Sequence, residues 1–227
     1  MTASIKQKIT GCVFDLDGTL ADTAPDIAQA LNHALQDAGL VQLPLKSVVG
    51  MIGSGIPTLV RRALCYLDTG ADLVEELVAS MQAHYSKNYC DKSLLMDGVK
   101  DCLEGLIERG IPLAVCTNKE EEIAKMVVSA LGINKYFDIV VGSRLDLNKK
   151  PDPSMLFLAA DEINSPLKTT MMIGDSEVDA ATGIAANSVS VIIRGGYCHK
   201  PYEKLNVTHL LNNMDELLKI IDEQYVL

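Results

Sequence analysis

From Gly98 onward, strand-length apolar runs alternate with amphipathic helical stripes, and this alternation leaves few folds open to the chain. Val99, Cys102, Leu103, Leu106 and Ile107 form one stripe, closed by Gly110, and the strand Pro112 to Cys116 follows. Ile123, Met126, Val127, Ala130 and Leu131 form the next, closed by Gly132 and followed by a short strand, Ile139 to Val141. Met155 to Glu162 reads as a helix, Thr170 to Ile173 as a strand, Glu177 to Ala186 as a helix and Val189 to Ile193 as a strand. Met214 to Tyr225 closes the pattern as a helix. Strands alternating with helices predict an α/β fold, a Rossmann-like parallel sheet covered on both faces. Ligands of such sheets bind beyond the carboxyl ends of the strands.

Residues 22–96 break the alternation. Pro25 stands where a helix would begin, and Ile27, Ala28, Leu31, Leu35 and Ala38 make a stripe stopped by Gly39. Ile56 to Leu67 and Leu73 to Asn88 read as further helices with no strand between them. The expected organisation is an α/β core domain from segments 1–21 and 97–227, with an all-helical domain, 22–96, inserted between them.

The chemistry concentrates at strand ends. Asp15-Leu16-Asp17-Gly18-Thr19 directly follows the apolar run Gly11-Cys12-Val13-Phe14. Side chains alternate along a strand, so two carboxylates two residues apart share one side of the backbone, and Gly18 permits a sharp turn. One carboxylate can attack phosphorus while the other shuttles the leaving-group proton. Taken alone, the same motif could merely end a strand or bind Ca²⁺. Three further motifs follow in order: Leu113-Ala114-Val115-Cys116-Thr117-Asn118, Asn148-Lys149-Lys150-Pro151-Asp152-Pro153, and Met171-Met172-Ile173-Gly174-Asp175-Ser176-Glu177-Val178-Asp179.

Together these four motifs resemble those of the haloacid dehalogenase superfamily, and the helical insertion resembles the cap of one of its branches. The resemblance implies Asp15 as nucleophile and Asp17 as general acid, then base. It implies Thr117 and the backbone near Asn118 as phosphoryl-binding groups. Lys150, directly before Pro151, is the functional lysine by the same pattern, with Lys149 the alternative on residue type alone. Mg²⁺ would be held by the Asp15 side chain, the Asp17 carbonyl and Asp175, with Asp179 orienting a metal-bound water or Lys150. Charge balance points the same way: Asp15, Asp17, Asp175 and Asp179 beside a phosphate dianion require more positive charge than one lysine carries.

In the insertion, Gly53-Ser54-Gly55-Ile56-Pro57-Thr58-Leu59-Val60-Arg61-Arg62-Ala63-Leu64 resembles the cap loop and helix of proteobacterial phosphoglycolate phosphatases, as do Thr19 to Pro25 and Arg194-Gly195-Gly196-Tyr197 elsewhere. A glycine-rich loop opening a helix offers free N–H groups to an anion, and an arginine can clamp a carboxylate. Gly53 and either Arg61 or Arg62 are therefore candidates to bind a small phosphorylated metabolite such as 2-phosphoglycolate; two solvated arginines on an outer helix face is the structural alternative. Glu120 after Asn118-Lys119, Asp152 after Pro151 and the pair Glu177-Val178 depart from the commonest family residues. A β-phosphoglucomutase-like enzyme, a pyrophosphatase or a broad sugar or nucleotide phosphatase would share the core motifs. The complete catalytic set argues against a non-catalytic binding protein.

The remaining composition narrows the partners. A net charge of −10 disfavours nucleic acid, which needs clustered Lys and Arg. No apolar run approaches the length needed to span a bilayer, and Met1 to Thr10 lacks the pattern of a secretory leader, so a cytoplasmic location is expected, with the choice between monomer and homodimer left open. The six cysteines have no paired spacing, and Cys12, Cys102 and Cys116 fit apolar patterns as small hydrophobes.

Overall fold

The computed structural model describes residues 7–226; residues 1–6 of the expected core segment, and residue 227, lie outside them. The strands are β1 Gln7–Lys8, β2 Gly11–Phe14, β3 Ala21–Asp22, β4 Leu94–Leu95, β5 Leu113–Glu120, β6 Ile139–Ser143, β7 Thr170–Gly174, β8 Val189–Ile193, β9 His209–Leu211 and β10 Tyr225–Val226. The α-helices are α1 Ala24–Asp37, α2 Leu45–Val49, α3 Ile56–Tyr66, α4 Val74–Tyr85, α5 Val99–Glu108, α6 Glu121–Ala130, α7 Ser154–Glu162, α8 Glu177–Ala185 and α9 Asp215–Gln224.

Six strands form a parallel sheet in the order β6-β5-β2-β7-β8-β9. The α/β reading of the sequence holds, and the two-residue periodicity shows why. Cys12, Phe14, Leu113, Val115, Met171 and Ile173 point to one face, under the helices carrying Leu103, Val127 and Leu217. Val13, Ala114, Cys116 and Met172 point to the other, under Met155, Leu156 and Ala159 of α7. With both faces covered, these strands read as continuous apolar runs. β5 runs four residues past the expected Cys116, taking Thr117 to Glu120 into the strand. The edge strand β9 was not expected: three residues are too few for a period to register in the sequence.

β5 and β7 flank β2 on opposite sides, so the connections leaving the sheet diverge at β2. That divergence opens a crevice beyond the carboxyl end of β2, directly where Asp15 and Asp17 follow.

Helices α1 to α4 pack around a separate apolar centre that includes Leu31, Leu35, Val60, Leu64, Leu77 and Met81. Pro25 lies in the first turn of α1, as its preset φ favours. The chain enters and leaves this helical lobe through β3 and β4, which pair antiparallel. The buried Asp26 carboxylate ties the two passages together, accepting from Lys92 N at 3.0 Å, Ser93 N at 2.8 Å and Ser93 Oγ at 2.6 Å. Asp26→Ala leaves the buried Ser93 N–H and hydroxyl unpaired and is expected to cost about 1–3 kcal/mol, read as a lower denaturant midpoint at unchanged slope.

Candidate active site

Asp15 emerges from β2 with its N–H bonded to the Ile173 carbonyl at 2.9 Å, so the ends of β2 and β7 are locked side by side. Asp175 follows β7, and Asp179 lies in the first turn of α8. Carboxylate oxygens of Asp15, Asp175 and Asp179 all lie within 4.8 Å of one another, and all three residues are buried. Gly18, at φ +89°, makes this crowding possible, since a Cβ there would stand 2.7 Å from Asp175 Oδ2.

Each acid is held separately. Asp175 accepts from Thr19 Oγ1 at 2.9 Å and from the Tyr197 N–H. Asp179 accepts from Ser176 Oγ at 2.6 Å and Ser176 N at 3.2 Å, forming the capping box of α8. The Lys150 ammonium sits 2.6 Å from Asp179 Oδ1 and 2.8 Å from Asp15 Oδ1. The first is a hydrogen bond; the second is an ion pair without hydrogen-bond geometry, which leaves Asp15 Oδ1 with none.

One ammonium among three buried carboxylates does not balance the charge, which favours the protonated form of the acids. Burial pushes Asp15 up to about 6, with Asp179 adding to the rise and Lys150 opposing it. Burial, then the charges of Asp179 and Asp15, hold Asp175 well above the usual carboxylate range. Burial also opposes the charge on Lys150, yet Asp15 and Asp179 outweigh it and keep the lysine firmly protonated. A Mg²⁺ ion takes oxygen ligands at about 2.0–2.1 Å and would supply the missing charge. The buried cluster of carboxylate oxygens fits such an ion. Asp179, committed to Lys150 and Ser176, is placed to position Lys150.

Asp17 occupies a different setting. Both of its oxygens accept from the Lys119 ammonium, at 2.8 and 2.9 Å, and Oδ1 also accepts from Thr23 Oγ1 at 2.6 Å. Lys119 is 9 % exposed and lies 4.9 Å from the ring centre of Tyr85, on the cap-side helix α4. Sequence reading passed over Lys119; its place in an apolar strand after two polar residues was the only signal available. Tyr197, noted only within a resemblance, links the acids to the start of the helical lobe. Its hydroxyl donates to Asp22 Oδ1 at 2.6 Å and accepts from Thr23 N and Ala24 N at 2.9 Å.

A cavity of about 670 Å³ lies between sheet and helical lobe, reaching Asp15, Asp17, Thr117, Asn118 and Gly53. Asn118 Nδ2 spans the two sides, donating to the Gly53 and Lys150 carbonyls at 3.0 Å each. His199 makes a second bridge, its Nε2 lying 2.9 Å from the Ile52 carbonyl. Arg61 and Arg62 are not brought to the cavity. Leu59, Val60, Ala63 and Leu64 bury the inner face of α3, which turns Arg61 outward toward the Pro57 carbonyl and ties Arg62 to the Met51 carbonyl at 2.9 Å. Cys116, beside the site, is a packing residue: burial pushes its thiol up to about 12, far from a reactive thiolate.

The family model described as haloacid dehalogenase-like hydrolase matches residues 12–193 of the chain. The chain belongs to that family. This hydrolase is 34 % identical over 213 residues to a phosphoglycolate phosphatase of Cereibacter sphaeroides, a match covering 93 % of the chain and 97 % of that protein. A phosphoglycolate phosphatase of Cereibacter sphaeroides strain ATCC 17025 is 37 % identical over 211 residues, 91 % of this hydrolase and 95 % of its relative. Among solved structures, a predicted phosphoglycolate phosphatase of Haemophilus somnus 129PT superposes with a TM-score of 0.87 at 28 % identity, covering 93 % of this hydrolase and 97 % of that chain. No helix of the described residues is long and apolar enough to cross a membrane.

Proposed function

We propose that this hydrolase is a Mg²⁺-dependent phosphatase that converts 2-phosphoglycolate to glycolate and phosphate through an aspartyl-phosphate on Asp15. The observation that carries the reading is the arrangement around Asp15. Asp15, ion-paired with Lys150 at 2.8 Å, lines a cavity shared with a second, separately held carboxylate, Asp17. The phosphatase names of the relatives support the substrate.

Asp15 attacks phosphorus while Asp17 gives a proton to the leaving oxygen. Asp17 then takes a proton from the water that hydrolyses the acyl phosphate. Thr117 and the backbone at Asn118 hold phosphoryl oxygens, and Lys150, fixed by Asp179, offsets charge on the transferring group. Asp15, Asp175 and the Asp17 carbonyl would hold Mg²⁺, which supplies electrostatic stabilisation of that group. The bridges from Asn118 and His199 keep the helical lobe over the site and exclude water.

The metal makes a separate expectation about stability. Asp15 and Asp175 have higher pKa values folded than their usual 3.8. The metal-free folded state therefore binds extra protons, and its stability is present at low pH and lost as pH rises through about 6. Mg²⁺ binding offsets that loss, so the gain in melting temperature over chelator is expected to be larger at about pH 7 than at about pH 5. Identical melting with and without Mg²⁺ at neutral pH would count against the metal site.

Phosphate release from a panel of 2-phosphoglycolate, hexose phosphates, pyrophosphate and nucleotides, with Mg²⁺ and with chelator, tests the whole reading. A metal-dependent preference for 2-phosphoglycolate is expected. Metal-dependent release spread over many esters would keep the mechanism and reject the substrate, and sugar phosphate isomerisation would assign a phosphomutase.

A further inference from the structure

We infer that Lys119 and Tyr85 form the subsite that holds a carboxylate on the leaving group, a role that rests on the phosphatase reading above. Lys119 comes from the sheet and Tyr85 from α4, and both line the cavity beside Asp17. The Lys119 ammonium touches both oxygens of the residue that serves the leaving oxygen. It therefore stands one carboxylate's width from that oxygen. In 2-phosphoglycolate the carboxylate carbon is two bonds from the same oxygen, so its cation must sit directly beside the acid.

Tyr85 supplies the second, independent observation. Its residue is 3 % exposed, and among the described residues its hydroxyl meets only the Lys119 ammonium. An ammonium only donates, so the phenol's own proton is left without an acceptor, and a ligand oxygen entering the cavity would take it. Burial pushes this hydroxyl up to about 12, so it remains a neutral donor. An adjacent ammonium and phenol, brought from two separate elements, match the two oxygens of one carboxylate.

The rest of the cavity favours the same ligand. Ile27, Ile52, Ile56, Leu59 and Met81 make the helical lobe's share of the wall largely apolar, with Gln82 and Tyr85 its polar side chains. Among the described cations on the wall, Lys119 is the one paired with Asp17, and the others have different surroundings. Arg144 is engaged by Glu121 at 3.1 Å and Asp146 at 3.0 Å, while Lys149 is exposed and stands at the Gly55 end of the cavity.

The test compares kcat/KM for 2-phosphoglycolate with kcat/KM for ethyl phosphate, which lacks the carboxylate. Wild type, Lys119→Met, Tyr85→Phe and Lys149→Met are measured in Mg²⁺. The preference for 2-phosphoglycolate is expected to fall about tenfold or more in Lys119→Met and about three- to tenfold in Tyr85→Phe. Because it is a ratio within one protein, partial misfolding does not move it. Equal losses on both esters would make Lys119 a positioning residue for Asp17 alone and overturn the subsite. A preference lost only in Lys149→Met would overturn it as well. If wild type releases no phosphate from 2-phosphoglycolate, the functional reading fails on its own. Calorimetric binding of 3-phosphonopropionate against propylphosphonate then decides the subsite: a carboxylate advantage lost in Lys119→Met and Tyr85→Phe supports it, and equal binding overturns it.

Discussion

Asp15→Asn is expected to lower kcat by about 10⁶-fold, the scale seen when a nucleophile acting in a concerted group is removed. The amide keeps the shape of the carboxylate but does not attack phosphorus, so no covalent phosphoryl-enzyme forms. The loss cannot be assigned to unfolding. Lys150 retains its 2.6 Å bond to Asp179, and one of three crowded buried carboxylates becomes neutral. The metal-free variant should therefore melt no lower than wild type near neutral pH. Turnover, intact mass after substrate addition and a melting curve check the three parts. Robust turnover, with deamidation back to Asp excluded, would end the covalent mechanism.

Asp17→Asn is expected to lower kcat by about 10²- to 10⁴-fold, the range of general acid–base catalysis. Its effect divides between the two steps. An ester with a good leaving group needs little protonation, so the first step proceeds; hydrolysis of the acyl phosphate still needs a base. The variant should then accumulate one phosphoryl group on the protein, visible by mass, with Asp15 as the modified residue. The structure adds a consequence that the mechanism alone does not contain. Lys119 is buried and loses its anionic partner, and breaking one side of a buried ion pair costs about 3–5 kcal/mol. A marked drop in melting temperature should accompany the kinetic defect, and 2-phosphoglycolate should restore part of it by returning an anion to Lys119. An Asp17→Asn protein that turns over normally and melts like wild type would remove both assignments.

Much of the fold was legible because its signals are local. Parallel strands buried on both faces appear as apolar runs, and helices of nine or more residues carry enough turns to show a stripe, as α5, α6 and α9 do. Two- and three-residue strands such as β3, β4 and β9 have no period to display, and their pairing depends on partners far along the chain. The groups at the strand ends were legible for a related reason. Asp15, Thr117, Asn118 and Asp175 follow or end apolar strands, and a parallel sheet gathers such ends at one edge whatever the intervening chain does.

The choice among cations was different. Arg61, Arg62, Lys119 and Lys149 look equivalent as letters, and the arginines sit in the segment best suited by composition to bind an anion. Which charge reaches the cavity depends on how α3 is rotated about its own axis and how the lobe docks on the sheet. Burial of Leu59, Val60, Ala63 and Leu64 sets the first, and the bridges from Asn118 and His199 accompany the second. Lys119 reaches the leaving-group side of the site because it lies on a strand whose other side chains are almost all buried and because Asp17 and Tyr85 meet it there from separate elements. The existence of the core strands and the nucleophile position follow from short-range pattern, whereas strand order and recognition of the leaving group follow from packing between segments distant in sequence, where side-chain direction is a property of the assembled fold.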